Sequence, residues 1–84
     1  MKYKVYYTKQ AIKDIQSLTP KLKEKARQII NNVIAKDPSK GKRLLGDLEG
    51  NYSIRLNLKD RIVYSFDKKN KNIFIKRAHT HYGE

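Results

Sequence analysis

Along the chain, apolar positions recur first with a period of two, then with the spacing of a helix, and finally with a period of two again. In KYKVYY, Tyr3, Val5 and Tyr7 alternate with Lys2, Lys4 and Tyr6, the pattern of a strand. Thr8 follows with a hydroxyl suited to capping a helix, in which Ala11, Ile12, Ile15 and Leu18 recur at helical spacing. Thr19-Pro20 ends that helix and begins another, because threonine caps and proline fits the first helical position. In the second helix Leu22, Ala26, Ile29, Ile30, Val33 and Ile34 form one core-facing stripe, with Lys21, Lys23, Lys25 and Arg27 mostly off it. Asp37-Pro38 stops this helix, since the residue before a proline is driven out of helical geometry.

The stretch that follows, PSKGKRLLGDLEG, holds three glycines and three cations and predicts a loop, a natural seat for function. Beyond it Tyr52, Ile54 and Leu56 alternate with Ser53, Arg55 and Asn57, and Ile62, Tyr64 and Phe66 alternate with Arg61, Val63 and Ser65. Matching the apolar faces pairs Leu56 with Ile62, Ile54 with Tyr64 and Tyr52 with Phe66, leaving a three-residue loop from Leu58 to Asp60. The same parity sets Arg55 and Arg61 together on the opposite face, a candidate anion site. After the polar turn DKKNKN, the run NIFIKRA carries Ile73 and Ile75 on one side and Phe74 on the other, as in a strand inside a sheet. The closing RAHTHYGE then leaves from the middle of the sheet, which brings His79, His81 and Tyr82 near the arginine face. The expected architecture is α+β in the order β-α-α-β-β-β. Two N-terminal helices pack on one face of a small, mostly antiparallel four-stranded sheet, and residues 1–84 form a single domain.

Length and charge narrow the partners. A domain of 84 residues buries roughly 60 to 65% of its unfolded surface, so a bound partner would add substantially to its stability. Twenty Lys and Arg face eight Asp and Glu, a formal net charge of +12. The excess is spread along the chain: residues 1–47 carry twelve cations and four acids, and 48–84 carry eight and four. A folded body that basic favours a polyanion, nucleic acid first, or an acidic protein that masks the charge. Without cysteine there is neither a disulfide framework nor a thiolate metal site, which suits a reducing cytosol without requiring one. The sequence has no apolar run of signal-peptide or membrane-span length, so the expected protein is cytoplasmic and free of membranes.

Both histidines of the chain lie in the final RAHTHYGE. As metal ligands they lack a cysteine or a third histidine to complete a nitrogen and sulfur site, and no cofactor motif is present, so no metal or cofactor is expected. A loose, incidental terminus is the plain alternative. Cleavage of an RNA phosphate by the neighbouring 2′-hydroxyl would use these residue types directly. It needs a base for that hydroxyl, an acid for the departing 5′-oxygen and cations for the charge developing at phosphorus. Histidine serves either proton role near neutrality, arginine grips phosphate oxygens in pairs, and tyrosine stacks on a base or passes a proton.

The order of elements, with LEGNYSIRLNLKDRIVYSF followed by a terminal HTHYG, resembles the RelE and ParE toxin superfamily, most of all its YoeB (Txe) branch. That branch has a similar Leu-x-Gly-aromatic-Ser-x-Arg-aliphatic strand, an Arg-aliphatic-Val-Tyr strand and a His-Tyr ending. The likeness spans the chain coarsely and residues 48–82 well. It implies the toxin of a type II toxin-antitoxin system: a ribosome-dependent, metal-independent mRNA endoribonuclease that blocks translation. Its expected partners are mRNA in the ribosomal A site, the ribosome, a cognate antitoxin, and operator DNA only through the antitoxin complex. Carried over by position, Arg61 matches the catalytic arginine, His81 and Tyr82 the terminal pair, and Arg55 an arginine that holds phosphate. Where the branch has its glutamate base this chain has Lys42, flanked by Lys40 and Arg43 and expected to assist catalysis from that position, with Asp47 and Glu49 as substitutes nearby. Lys40, Arg43, Arg77 and His79 complete the set expected to touch RNA, His79 also as a second proton-transfer group. Two other readings stay open: a ParE-type gyrase inhibitor, and an RNA- or ribosome-binding module without catalysis.

Overall fold

In the computed structural model, which describes residues 3–44 and 50–78, strand β1 (Lys4–Tyr7) passes into helix α1 (Lys9–Ser17) at Thr8. Thr8 caps as expected, its Oγ1 accepting the Ala11 N–H at 3.0 Å while donating to the Lys76 carbonyl at 3.0 Å. One hydroxyl thus ends the strand, starts the helix and ties both to the far end of the chain. Thr19 caps helix α2 (Pro20–Ile29) by accepting the Leu22 N–H, with Pro20 in the first turn. The acids and cations of α2 face solvent, where Arg27 forks onto Glu24 in an exposed pair of little energetic weight.

Helix α2 runs on into a π-helical turn, Ile30–Ile34, closed by the Ala35 N–H on the Ile30 carbonyl at 2.8 Å. The extra residue in that turn shifts the phase of the apolar stripe by one position. Ile34 is buried as expected and Ala35 joins it, whereas Val33, also expected in the stripe, is 37% exposed. The Ala35 carbonyl then accepts the Tyr3 N–H, fixing the start of β1. In α1 the expected stripe is also amended: Ile12 is 45% exposed, and Asp14 takes a buried place between Ala11 and Leu18.

Among the described residues the sheet has five strands, one more than expected, in the order β1-β5-β4-β3-β2. The added strand is β2 (Lys42–Arg43), two residues drawn from the predicted loop and paired antiparallel with β3 (Tyr52–Arg55). Strand β4 (Arg61–Asp67) pairs antiparallel with β3 and with β5 (Asn72–Arg77), and β1 joins β5 in parallel. The interior position read for the last strand from its two apolar faces is therefore correct. The hairpin register is not. Tyr52 faces Tyr64 and Ile54 faces Ile62, two residues from the expected pairing, so the connection runs over residues 56–60.

The cause lies in the connection, where the Asn57 Oδ1 accepts the N–H groups of Lys59 and Asp60 at 2.8 and 2.6 Å. Its Nδ2 donates to the Asp60 carboxylate, and the Leu56 and Asn57 N–H groups both reach the Asp60 carbonyl. This local network makes a wider turn than apolar matching alone suggests. Because the slip is by two, each side chain keeps its face.

Both helices cover one face of the sheet, as expected. Ala11, Leu18, Ala26, Ile30 and Ile34 meet Leu56, Ile62, Tyr64, Ile73, Ile75 and Ala78 in one buried cluster. Each fully buried large side chain here stabilises the fold by about 1.5–3 kcal/mol. Among the described residues no helix is long and apolar enough to cross a membrane.

Candidate functional site

Antiparallel partners share a face, so the pairings define what the uncovered side of the sheet presents. Arg55 stands directly opposite Arg61, Ser53 opposite Val63, and Lys42 opposite Ser53. These five lie away from the helices. Sheet geometry puts the Cβ atoms of Arg55 and Arg61 about 5 Å apart and that of Lys42 about 7–8 Å from Arg55 on the diagonal. Ser53 and Val63 are buried between them, Arg61 is half-buried, and Arg55 and Lys42 are exposed. Among the described residues neither arginine makes an ion pair. Like charges directly across a ladder repel, and an anion lodged between the two guanidinium forks relieves that repulsion. Arginine suits the task because its planar fork grips two oxygens at once.

Lys42 owes its place to a residue on the other side of the sheet. Tyr64 is fully buried, its hydroxyl donating to the Pro38 carbonyl at 2.5 Å and accepting the Gly41 N–H at 3.1 Å. Burial pushes the phenol up to about 12, so it stays protonated at physiological pH. It thereby pins the turn Pro38–Lys40 and the residue just before β2. Gly41 fits only without a side chain, since a Cβ there would sit 2.2 Å from that hydroxyl, 3.0 Å from Cζ and 3.1 Å from the Ser53 carbonyl.

Two measurements follow from this contact. Tyr64→Phe should lower unfolding stability in urea by about 1–3 kcal/mol, because the Gly41 N–H and Pro38 carbonyl lose their partner. Gly41→Ala should cost about 1–3 kcal/mol by overpacking. Its cost should shrink, without vanishing, in a Tyr64→Phe background that lacks the clashing oxygen. Simple additivity of the two substitutions would show that the hydroxyl is not the obstruction.

The other candidates are dispersed. Arg43 is opposite Tyr52, hence on the helical face and at the sheet's margin, apart from Lys42. Lys40 is exposed on the turn before β2, beside Asp37. The Asp37 carboxylate accepts the Ser39 hydroxyl at 2.6 Å and N–H at 3.2 Å, bonds that hold it below the usual carboxylate range. Arg77 donates through Nε to Asp14 at 2.7 Å and through Nη2 at 3.4 Å. Asp14 also accepts from Gln10 at 3.0 Å and from the Ala78 N–H at 3.1 Å. Burial alone would raise the Asp14 pKa, but these hydrogen bonds and the guanidinium charge hold it below its ordinary value.

Asp14 thus anchors the end of β5, where Arg77 pairs with Val63 and Ala78 lies toward the Arg61 end of β4. His79, His81 and Tyr82 lie outside the described residues, as do Asp47 and Glu49. The sequence reading passed over Asp14 and the bridging role of Tyr64. A lone acid at the Ala11–Leu18 spacing was a usable signal for the first. Nothing in RIVYSF signals which carbonyl Tyr64 would find. A concavity of about 500 Å³ lies elsewhere: an apolar groove on the helical side lined by Tyr7, Ile12, Ile15, Pro20, Arg27 and Ile30.

Two helices packed on one face of a mostly antiparallel sheet, with a group of cations on the other, match the fold of known toxins. The chain belongs to the ParE-like toxin family of type II bacterial toxin-antitoxin systems, whose family model matches residues 5–82. Within the wider RelE/ParE superfamily, YoeB toxins are among its structural neighbours. The toxin-antitoxin complex RelBE2 from Mycobacterium tuberculosis contains a chain 24% identical, with a TM-score of 0.85 over 96% of this chain and 100% of that one. The YoeB dimer from Staphylococcus aureus is 26% identical, with a TM-score of 0.80 over 98% and 100%. An archaeal RelE in complex with RelB from Pyrococcus horikoshii is 26% identical, with a TM-score of 0.73 over the full length of both chains. A search of curated proteins finds no match to this chain.

Proposed function

We propose that this toxin is an mRNA interferase that cuts mRNA in the ribosomal A site through the RNA's own 2′-hydroxyl. The observation that carries the reading is the pair of directly opposed arginines, Arg55 and Arg61, on the uncovered face of a basic ParE-like toxin. In the proposed reaction the 2′-oxygen bonds to phosphorus as its proton is withdrawn, and the bond from phosphorus to the 5′-oxygen breaks as that oxygen is protonated. The products are a 2′,3′-cyclic phosphate and a free 5′-hydroxyl. Arg61 and Arg55 hold the non-bridging oxygens and stabilise the charge that builds on them. His81 is the proton-transfer group, Tyr82 orients the RNA, and Lys42 assists from the rim as a third cation. Lys40 and His79 act in RNA binding, whereas Arg43 stands on the helical face apart from that surface and the engagement of Arg77 with Asp14 suits it to holding the end of β5.

The antitoxin partner is supported by neighbours solved as complexes with RelB and YefM. An acidic or amphipathic antitoxin segment would mask the arginine face, and the apolar groove between the helices offers a seat for a second, helical segment. Operator DNA would be met only through that complex. The test is to add purified toxin to ribosomes programmed with a defined mRNA and to map the new ends. Cleavage confined to the A-site codon, with a 5′-hydroxyl on the downstream fragment, is the expected outcome. The family's ParE-like description favours one rival, a gyrase-directed toxin. Inhibition of DNA supercoiling with ribosomal mRNA left intact would decide for it.

A further inference from the structure

The uncovered face of the sheet carries a second feature, on the far side from the arginines. Tyr6 of β1 and Phe74 of β5 are register partners and stack, ring centroids 5.7 Å apart and planes 19° from parallel. They remain 45% and 38% exposed. Most other large apolar side chains of the sheet are buried or packed against the buried cluster; Tyr7, also exposed, lines the apolar groove on the helical side.

The surroundings of the pair are cationic. Lys4 lies two residues before Tyr6 on the same face, exposed Lys76 lies two residues beyond Phe74 at a bulge, and Ser65 faces Phe74 across the ladder. Among the described residues the nearest acid on this face is Asp67, whose carboxylate is taken up by its own turn. It accepts the Lys69 and Asn70 N–H groups and the Asn70 side-chain amide at 3.0, 3.3 and 2.6 Å. A pair of exposed rings set among lysines, with the local acid occupied, matches the chemistry of a single-stranded nucleic acid: π-faces for bases and cations for phosphates. Ser65 stands four positions from Arg61 along β4, and the rings lie on the strands beyond it, which places them about 17 Å from the arginine pair at strand spacings of about 3.4 Å per residue and about 4.8 Å between strands. A short stretch of extended strand covers that distance.

We propose that Tyr6 and Phe74 form a stacking platform for an unpaired RNA base, a subsite that grips the single strand away from the phosphate held by Arg55 and Arg61. This rests on the reading of the sheet face as an RNA surface, but not on catalysis. The test is direct binding of a short single-stranded RNA to the purified toxin, followed by fluorescence anisotropy without ribosomes. Tyr6→Leu and Phe74→Leu should each weaken binding by about 5- to 100-fold, the range of base-aromatic stacking. The salt dependence should keep its slope, because no phosphate contact is lost. Tyr6→Phe and Phe74→Tyr keep a π-face and should bind like the parent. An oligonucleotide with abasic sites should bind the parent as weakly as the leucine variants bind intact RNA.

Leucine variants that melt like the parent and retain full RNA affinity would overturn the proposal, even if the toxin cleaves mRNA normally. So would variants that lose antitoxin binding or self-association while RNA affinity stays, since the rings would then be a protein contact. If the parent fails to cleave on ribosomes yet shows the stacking dependence, the interferase reading falls and the platform stands.

Discussion

Replacing Arg61 by alanine should slow mRNA cleavage on programmed ribosomes by about 10²- to 10³-fold, the usual loss when a preorganised donor to a developing oxyanion is removed. Arg61→Lys should recover only part of this, because an ammonium is a single point charge and cannot span two phosphate oxygens. Arg55→Ala should have a smaller effect, and the double variant should fall short of the product of the two, since in the proposed reaction the pair acts as one unit on one phosphate. The fold should not suffer. The two guanidinium groups are directly opposed and have no acid partner among the described residues, so removing one relieves a repulsion. A melting temperature within a few degrees of the parent would separate the catalytic loss from a structural one. Cleavage by Arg61→Ala at the parental rate would remove this residue from the mechanism.

The largest structural effect is expected at Asp14. Asp14→Ala should lower stability by about 2–4 kcal/mol, because it strips the partner from a half-buried guanidinium and from the buried Ala78 N–H. For a domain of this size that is a fall of about 10–30 °C in Tm. The pH dependence has a definite sign. The Asp14 carboxyl is held below its ordinary pKa in the fold, so its contribution is complete above the unfolded value of about 4 and is lost as pH falls through the lower, folded value. The parent should therefore lose stability on acidification more steeply than Asp14→Asn, which has no carboxylate to protonate. Parallel acid melting curves for the two proteins would show that the Arg77 contact does not carry this contribution.

How much was legible in advance varies with the range of the interaction that decides each feature. The caps at Thr8 and Thr19 were readable because a cap is a contact between residues three apart, held by backbone geometry alone. The shared face of Arg55 and Arg61 survived a wrong register because alternation has a period of two and the slip was also two. The stripe of α2 was read correctly except at Val33, which the π-helical turn leaves exposed while burying Ala35. Nothing in INNVI distinguishes that turn from ordinary helix.

Strand β2 escaped notice for a related reason. A two-residue strand has no period to detect, and it exists because Tyr64 reaches across from the buried side to hold Pro38 and Gly41. The place of Asp14 in the stripe of α1 was a signal, but what it anchors was not legible, because its partners, Arg77 and the Ala78 N–H, lie more than sixty residues along the chain. The stacked Tyr6 and Phe74 likewise depend on β1 joining β5 in parallel, a pairing of the two ends of the chain that alternation cannot reveal.

The sequence by itself determined the basic charge of the body, the order of the helices and the longer strands, the interior place of the last strand and the face on which two arginines stand. Those properties follow from composition, from the periods of two and 3.6, and from caps and prolines, all of which act within a few residues. Only the tertiary structure decided which cations share that face, which residue anchors the end of β5 and what fixes Lys42. Those outcomes depend on side chains that meet across the sheet or between α1 and β5. Such meetings are set by packing between distant segments, and local pattern carries no record of them.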